Sequence, residues 1–286
     1  MTEGRIARGW RLTRQSWTVV RLRPGLLVIP AVSGAFTLVA AVVLLGPWSL
    51  DLIDHHSRSR LLLDTAVCAY PFTFIGTYFN VAFYALAAAT IDGRPMTTRE
   101  ALRHARSRVV AVAFWSLVAT VVGTALRALE QLPAGGLAGR IAEWIGSIAW
   151  SLATFFVIPV LALEDVGVRG ALRRSVQTIR SHWGESVTGV AVIGVAGGFV
   201  SFAIFGVGAL GVGLGRSGFE PGYVLTAVAA VAILVLTVVK AAVGQVFRLA
   251  VFRHASGDGG TGPFAAADLD AAFRPSRGRG GRSSSA

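Results

Sequence analysis

The chain has 286 residues, 53% of them hydrophobic and 15% charged, with a mean hydropathy of +0.62; that balance excludes soluble domains of ordinary composition and requires apolar residues to face lipid. Its net charge of +12 comes almost wholly from arginine, Lys240 being the only lysine, and in a membrane protein such an excess marks the cytoplasmic side. The apolar runs interleaved with the arginines exclude a nucleic-acid-binding role, and Cys68, alone in an apolar run, excludes an internal disulfide or a cysteine metal site.

Residues 5–23 place Ile6, Trp10, Thr13, Trp17 and Val20 at helical spacing, with Arg8, Arg11, Arg14 and Arg21 elsewhere on the wheel, which predicts a surface helix before a span. Residues 1–24 carry six arginines and no apolar signal core, so the first apolar run is expected to be a retained anchor. Pro24 and Gly25 end the surface helix, and Leu26 to Gly46 is uncharged and close to the roughly 20 residues that cross a bilayer. A polar loop with Asp51, Asp54, His55 and His56 follows. Leu61 to Thr90 forms a longer second span around Pro71, tilted or kinked to fit. After the Asp92-Gly93 turn, Thr97 and Glu100 have the spacing of a capping box. They start a helix with Ala101, Leu102, Ala105 and Val109 on one face and Arg99, Arg103 and Arg106 on the other, leading into a third span to Leu126.

Pro133 and its neighbouring glycines mark an outer loop, and Ile141 to Leu163 reads as one continuous fourth span. The run then stops at Glu164 and Asp165. Residues 165–182 carry Val168, Leu172, Val176 and Ile179 on one side, with Trp183 continuing the stripe, and Arg169, Arg173 and Arg180 on the other. This is the pattern of a helix lying in the membrane interface, its apolar stripe toward acyl chains and its cations toward anionic phospholipid headgroups. REALRHARSR and RGALRRSVQTIR echo one another as a repeat of surface helix plus span. Val187 to Gly215 reads as a fifth span, in which Gly194 and Gly198 allow close helix approach, and Tyr223 to Phe247 as a sixth, with Lys240 snorkelling. The expectation is an all-α membrane domain over 1–253, with six transmembrane helices and amphipathic cytoplasmic elbow helices, and a basic, mostly disordered tail over 254–286.

Arginines fix the orientation. The N-terminal arm has six, the second-to-third connection five (Arg94, Arg99, Arg103, Arg106, Arg108), the fourth-to-fifth four, and the C-terminal end six, against five in all the alternate connections together. Both termini are expected in the cytoplasm. Heavy Ala, Val, Gly and Arg usage points to a GC-rich prokaryotic genome, hence a plasma membrane.

YFNVAFYALAAATIDGRP (78–95) and FFVIPVLALEDVGVRGALRRSVQTIRSHWGE (155–185) resemble an uncharacterised family of prokaryotic six-span membrane proteins, a domain of unknown function, and RGWRLTRQSW and DLDAAFRP resemble that family's ends. The residues carrying the likeness are Asn80, Pro159, Glu164, Arg173, Ser175, Trp183, Gly184 and Glu185. A weaker likeness, confined to the elbow pattern, extends to the membrane domain of some glycerophosphodiester phosphodiesterases. The resemblance implies an integral membrane fold and brings no catalytic residues with it.

Chemistry-bearing candidates are few. Asp51, Asp54, His55 and His56 offer metal-ligand types, but adjacent histidines rarely face one ion, and a solvated turn is the better reading. Glu164 and Asp165 suit a helix start, as does Glu185 beside the interfacial Trp183. Asn80, an amide deep in a span, is expected to bond across helices in a packing role. The glycines from 206 to 215 lack the GK[ST] of a phosphate loop, and no GxSxG or HExxH appears. The expected role is structural or accessory and non-enzymatic, with no cofactor and no metal, and the bilayer with its anionic headgroups as partner. The alternatives are a transporter or channel for a small or lipidic solute, and an accessory of lipid metabolism.

Overall fold

The computed structural model describes residues 5–49, 58–130, 136–182, 204–214, 216–217 and 220–257, and among these every regular element is an α-helix. Helices α1 (Arg5–Leu22) and α2 (Gly25–Ser49) are separated by Arg23 and Pro24. Pro24 has no amide hydrogen to continue α1 and disfavours helical backbone at Arg23, so the chain turns; its carbonyl then accepts the amides of Leu27 and Val28 at 2.9 and 3.1 Å and starts α2.

The centre of the bundle is α3 (Arg58–Ile91), which packs against α2, α5, α7 and α10 and against α4 (Thr98–Ser107). It runs through Pro71 as one helix. Nine consecutive residues, Val81–Ala89, are buried, and the alanines among them bring neighbouring backbones close on every side. Accordingly 61% of its apolar window is buried, against 11–33% in the other membrane-length helices.

Thr97 caps α4 as expected: its hydroxyl accepts the Glu100 amide at 3.2 Å while the Glu100 carboxylate accepts the Thr97 amide at 2.7 Å. Ala101 and Ala105 are fully buried, whereas Arg99, Arg103 and Arg106 are exposed. Arg108 separates α4 from α5 (Val109–Glu130).

The fourth apolar run is not one helix. It divides into α6 (Gly136–Ala153) and α7 (Val157–Leu163) at a turn over residues 154–156. In an unbroken helix the ring of Pro159 would press on the carbonyl of Phe155 four residues earlier, so the chain tightens instead, with Phe155 donating to Leu152 and Val157 to Thr154 at 3.1 Å each. α8 (Val168–His182) follows a short extended link. Its most buried positions are Val168, Ala171, Ser175 and Thr178, about one position away from the expected stripe; Leu172, Val176 and Ile179 are only half-buried flanks. Small side chains take the protein-facing side because α8 packs on α7 and α6 as well as presenting an apolar flank.

The expected fifth span falls largely outside the described residues, as do Trp183, Gly184, Glu185, Gly194 and Gly198; within it a short apolar helix, α9 (Ile204–Leu214), is described. α10 (Pro221–Ala255) runs eight residues beyond the expected end of the sixth span at Phe247. Five helical segments, Gly25–Leu44, Val67–Ile91, Val109–Ala128, Trp144–Leu163 and Pro221–Ala255, are long and apolar enough to cross a membrane, which makes this a multi-pass membrane protein by length and composition. Burial is uneven along them. The core gathers at one end, from Val19 to Ile29, Phe79 to Ala89, Phe156 to Ala171 and Ala242 to Phe252, while Leu38, Val42, Leu117, Leu234 and Val235 stand exposed toward the other. An apolar surface of that extent on a helical bundle fits a lipid solvent.

Candidate functional site

At its C-terminal end α3 stops on a glycine cap. Gly93 adopts φ +67°, its amide donates to Thr90 at 3.2 Å, and the Arg94 amide reaches back to Ala89 at 2.9 Å, the paired bonds of a Schellman motif. Asp92 is thereby left at the helix C-terminus, where the dipole disfavours a carboxylate. Guanidiniums compensate. Arg253, from the end of α10 and with 8% of its side chain exposed, meets the two Asp92 oxygens at 2.5 and 3.1 Å, and Arg94 adds a contact of 2.8 Å. The bonds from Arg253 hold the Asp92 carboxyl below its ordinary range of ionisation, against the opposing effect of partial burial, with Arg94 assisting.

Around this pair, polar contacts join segments far apart in the sequence. Arg23, just before α2, donates to the carbonyls of Arg94, at 2.8 Å, and Met96. His104 of α4 meets the Ala162 carbonyl at 2.8 Å; a carbonyl only accepts, so Nε2 carries the hydrogen, and one of the free carbonyls at the end of α7 is satisfied. Arg108 pairs with Asp165 at 2.7 Å. At the break before α7 the Phe156 amide donates to the buried hydroxyl of Ser175 in α8 at 3.1 Å. Arg174 meets Glu164 through Nε at 3.4 Å. Arg248 lies over the Phe155 ring at 4.6 Å and interacts with the buried Tyr84.

Between these groups is a cavity of about 470 Å³, open to the surface. Arg94, Arg174 and Arg253 line it with Glu164 and Ser256, and Leu163 and Phe252 give it an apolar wall.

The site residues expected from sequence are distributed as follows. Pro159 is buried in α7 just after the break described above, and Ser175 accepts the Phe156 amide there. Glu164 lies on the cavity, while Arg173 is exposed and Arg174, its neighbour, is the one that faces in. Asn80 is half-buried in α3. Asp165, expected with Glu164 at a helix start, instead pairs with Arg108. Asp51, Asp54, His55 and His56 lie outside the described residues, and among the described ones no group of three or more His, Cys, Asp or Glu side chains is placed to hold a metal.

Sequence reasoning missed Asp92 and Arg253, reading one as a turn residue and counting the other only among the C-terminal arginines. The signal available was an acid on the helix side of a capping glycine, a position that the dipole penalises and that therefore needs a cation from elsewhere.

A family of unknown function, DUF6159, matches residues 66–263. The chain belongs to this family. The family match runs from within α3 to beyond α10, and so covers the Asp92–Arg253 pair and the whole cavity lining; the N-terminal arm at 8–17 and the piece at 268–275 lie outside it. No curated protein matches the chain.

Proposed function

We propose that this is a non-enzymatic, six-span protein of a prokaryotic plasma membrane, structural or accessory in role, with both termini in the cytoplasm and its arginine-rich face against anionic phospholipid headgroups. The observation that carries the reading is the meeting, at one end of the bundle, of segments that a membrane has to keep on one side. Arg23 before α2 contacts the turn after α3, Asp92 at the end of α3 pairs with Arg253 at the end of α10, and Arg108 before α5 pairs with Asp165 after α7. α8 and the end of α10 share the cavity wall through Arg174 and Arg253, so an even number of crossings separates them. α10 supplies one, and the fifth span expected from the sequence over 187–215 is the other on this reading. This end is also where the loops are richest in arginine, and such loops stay cytoplasmic.

The non-enzymatic part of the reading is supported by how the acids are used. Asp92, Asp165 and Glu164 each hold an arginine, and Glu100 caps a helix, so none stands poised for proton transfer. The outer-loop residues Asp51, Asp54, His55 and His56 are the cluster to test for chemistry. Reporter fusions after Arg103, Arg180 and Arg253 give cytoplasmic signals on this reading, and fusions near His56, Gly136 and Gly218 exterior ones; an exterior signal at Arg180 overturns it. A variant with alanine at 51, 54, 55 and 56 complements a deletion strain fully, and failure to complement assigns chemistry to that loop.

A further inference from the structure

We infer that α3–α4 and α7–α8 are two copies of one span-and-elbow unit, and that each copy holds the headgroup of an anionic phospholipid through the same pair of arginines, Arg99 and Arg103 on α4 and Arg169 and Arg173 on α8. The echo between the two elbows extends back into the spans that precede them. Phe83 and Tyr84 stand as far before Asp92 as Phe155 and Phe156 stand before Glu164, and both ring pairs meet edge to face, at 6.0 and 4.8 Å. Asp92 and Glu164 follow the last turn of their helices, and each contacts an arginine further along its own unit, Arg94 at 2.8 Å and Arg174 at 3.4 Å.

The two elbows also share one burial register, which a chance likeness of sequence would not produce. Ala101 and Ala105 of α4 and Ala171 and Ser175 of α8 are fully buried, Leu102 and Leu172 are half-buried, and Arg99, Arg103, Arg169 and Arg173 are exposed. Going round each helix, at about 100° per residue, the core side gives way to the leucine and then to two arginines about 40° apart. Arginines at this spacing have Cβ atoms about 5–6 Å apart, so both can reach one phosphate. Like charges so placed destabilise a helix, a cost that an anion held between them offsets. Among the described residues none of the four is in an ion pair; Arg103 has Glu100 nearby, but that carboxylate caps α4 on Thr97.

The level at which the elbows lie selects a lipid as the source of that anion. α5 starts directly after the joint at Arg108, and its second residue, Val110, is 80% exposed, so hydrocarbon begins within a turn of the end of α4. Arg108 pairs at 2.7 Å with Asp165, just before α8, which sets the second elbow at the same level. Both arginine pairs therefore lie at headgroup depth beside an apolar flank, the arrangement of an interfacial helix. Guanidinium forks match the free oxygens of a phosphodiester, and a lipid so held lays its acyl chains along the exposed valines of α5.

The lipid as partner rests on the membrane reading above, whereas the equivalence of the two elbows does not. The test uses the full chain in neutral detergent, titrated with dihexanoyl phosphatidylglycerol and, in a separate arm, dihexanoyl phosphatidylcholine, with bound lipids counted by native mass spectrometry. Arg99→Gln with Arg103→Gln, and Arg169→Gln with Arg173→Gln, each bind one phosphatidylglycerol fewer than the unaltered chain, and the two pairs combined bind two fewer. Lysine at the same positions keeps most of the count, phosphatidylcholine binding is the same in every variant, and unfolding temperatures without added lipid are unchanged. An unaltered phosphatidylglycerol count in both double variants, an equal loss of phosphatidylcholine, or a lowered unfolding temperature without lipid overturns the sites, and a loss with one pair only overturns their equivalence. Reporter fusions after Arg103 and Arg180 separate the two readings: cytoplasmic signals with unaltered counts defeat the lipid sites alone, and exterior signals with the expected losses defeat the orientation alone.

Discussion

Asp92 sits where a helix dipole opposes it and two arginines hold it, so its ionisation is tied to the fold. Its carboxyl is depressed below the ordinary value of 3.8 by the bonds from Arg253 first, so the pair contributes stability that is present above that value and lost as pH falls through the lower, folded one. Thermal unfolding in detergent is therefore expected to be flat in this respect from neutrality to about pH 4 and to fall steeply below it. Asp92→Ala removes the acid and leaves Arg253 buried and unpaired from it. The expected loss is about 3 kcal/mol, the lower end for a broken buried pair because Asp92 keeps 25% of its side chain exposed. Adding Arg253→Met to that variant is expected to restore part of the loss, to the extent that Asp92 is what offsets the burial of the guanidinium. A double variant no more stable than Asp92→Ala shows that Arg253 is held by its other contacts.

Two element contacts depend on single positions. At the break between α6 and α7 the Phe156 amide donates to Ser175 of α8 at 3.1 Å in a fully buried place. Ser175→Ala removes that bond and is expected to cost about 1 kcal/mol. Ser175→Thr, which keeps the hydroxyl, recovers part of it, and the comparison separates the hydrogen bond from the space it occupies. The second contact joins α9 to α10. A Cβ at Gly211 would lie 2.7 Å from the Gly222 carbonyl oxygen and 2.9 Å from the Thr226 amide, backbone atoms that cannot rotate away. Gly211→Ala is expected to push the helices apart at about 1–3 kcal/mol. Equal change at Gly213, which meets nothing within 4 Å, shows that propensity rather than contact was responsible.

Across the whole molecule, the protein-protein core lies at the arginine-rich end and the far half of the bundle exposes large apolar side chains. Local opening is therefore graded. Amide exchange in detergent is expected to be slowest over Val81–Ala89 and Val246–Arg253, where residues pack on every side, and faster by an order of magnitude or more over Phe36–Val43 and Val224–Val235. Uniform protection along α10 would mean that its outer half is covered by residues 183–203 or by a second chain. The same gradient places the polar joints where they resist separation: the Arg23, Asp92 and Arg108 contacts join helices through their ends, and Ser175 in the middle of α8 holds the start of α7.

Hydropathy and arginine placement alone predict a helical membrane protein and the first, second and third spans within a few residues, because a bilayer imposes a length and an apolarity that any reader of the chain can apply. The Thr97–Glu100 cap was equally legible, since its partners are three residues apart. Pro159 was visible too, yet its effect was not read: the apolar run continues past it, and hydropathy cannot distinguish one helix from two in line. What the tertiary structure decided is everything made by residues distant in the chain. That Arg253 turns inward to Asp92 rather than outward to water, that Arg174 and not Arg173 faces the cavity, and that Ser175 rather than Val176 is the buried position of α8 all depend on where a second helix end lies. A guanidinium has the same sequence signature in either setting; only the presence of a partner within about 3 Å determines whether it anchors the fold or solvates the surface.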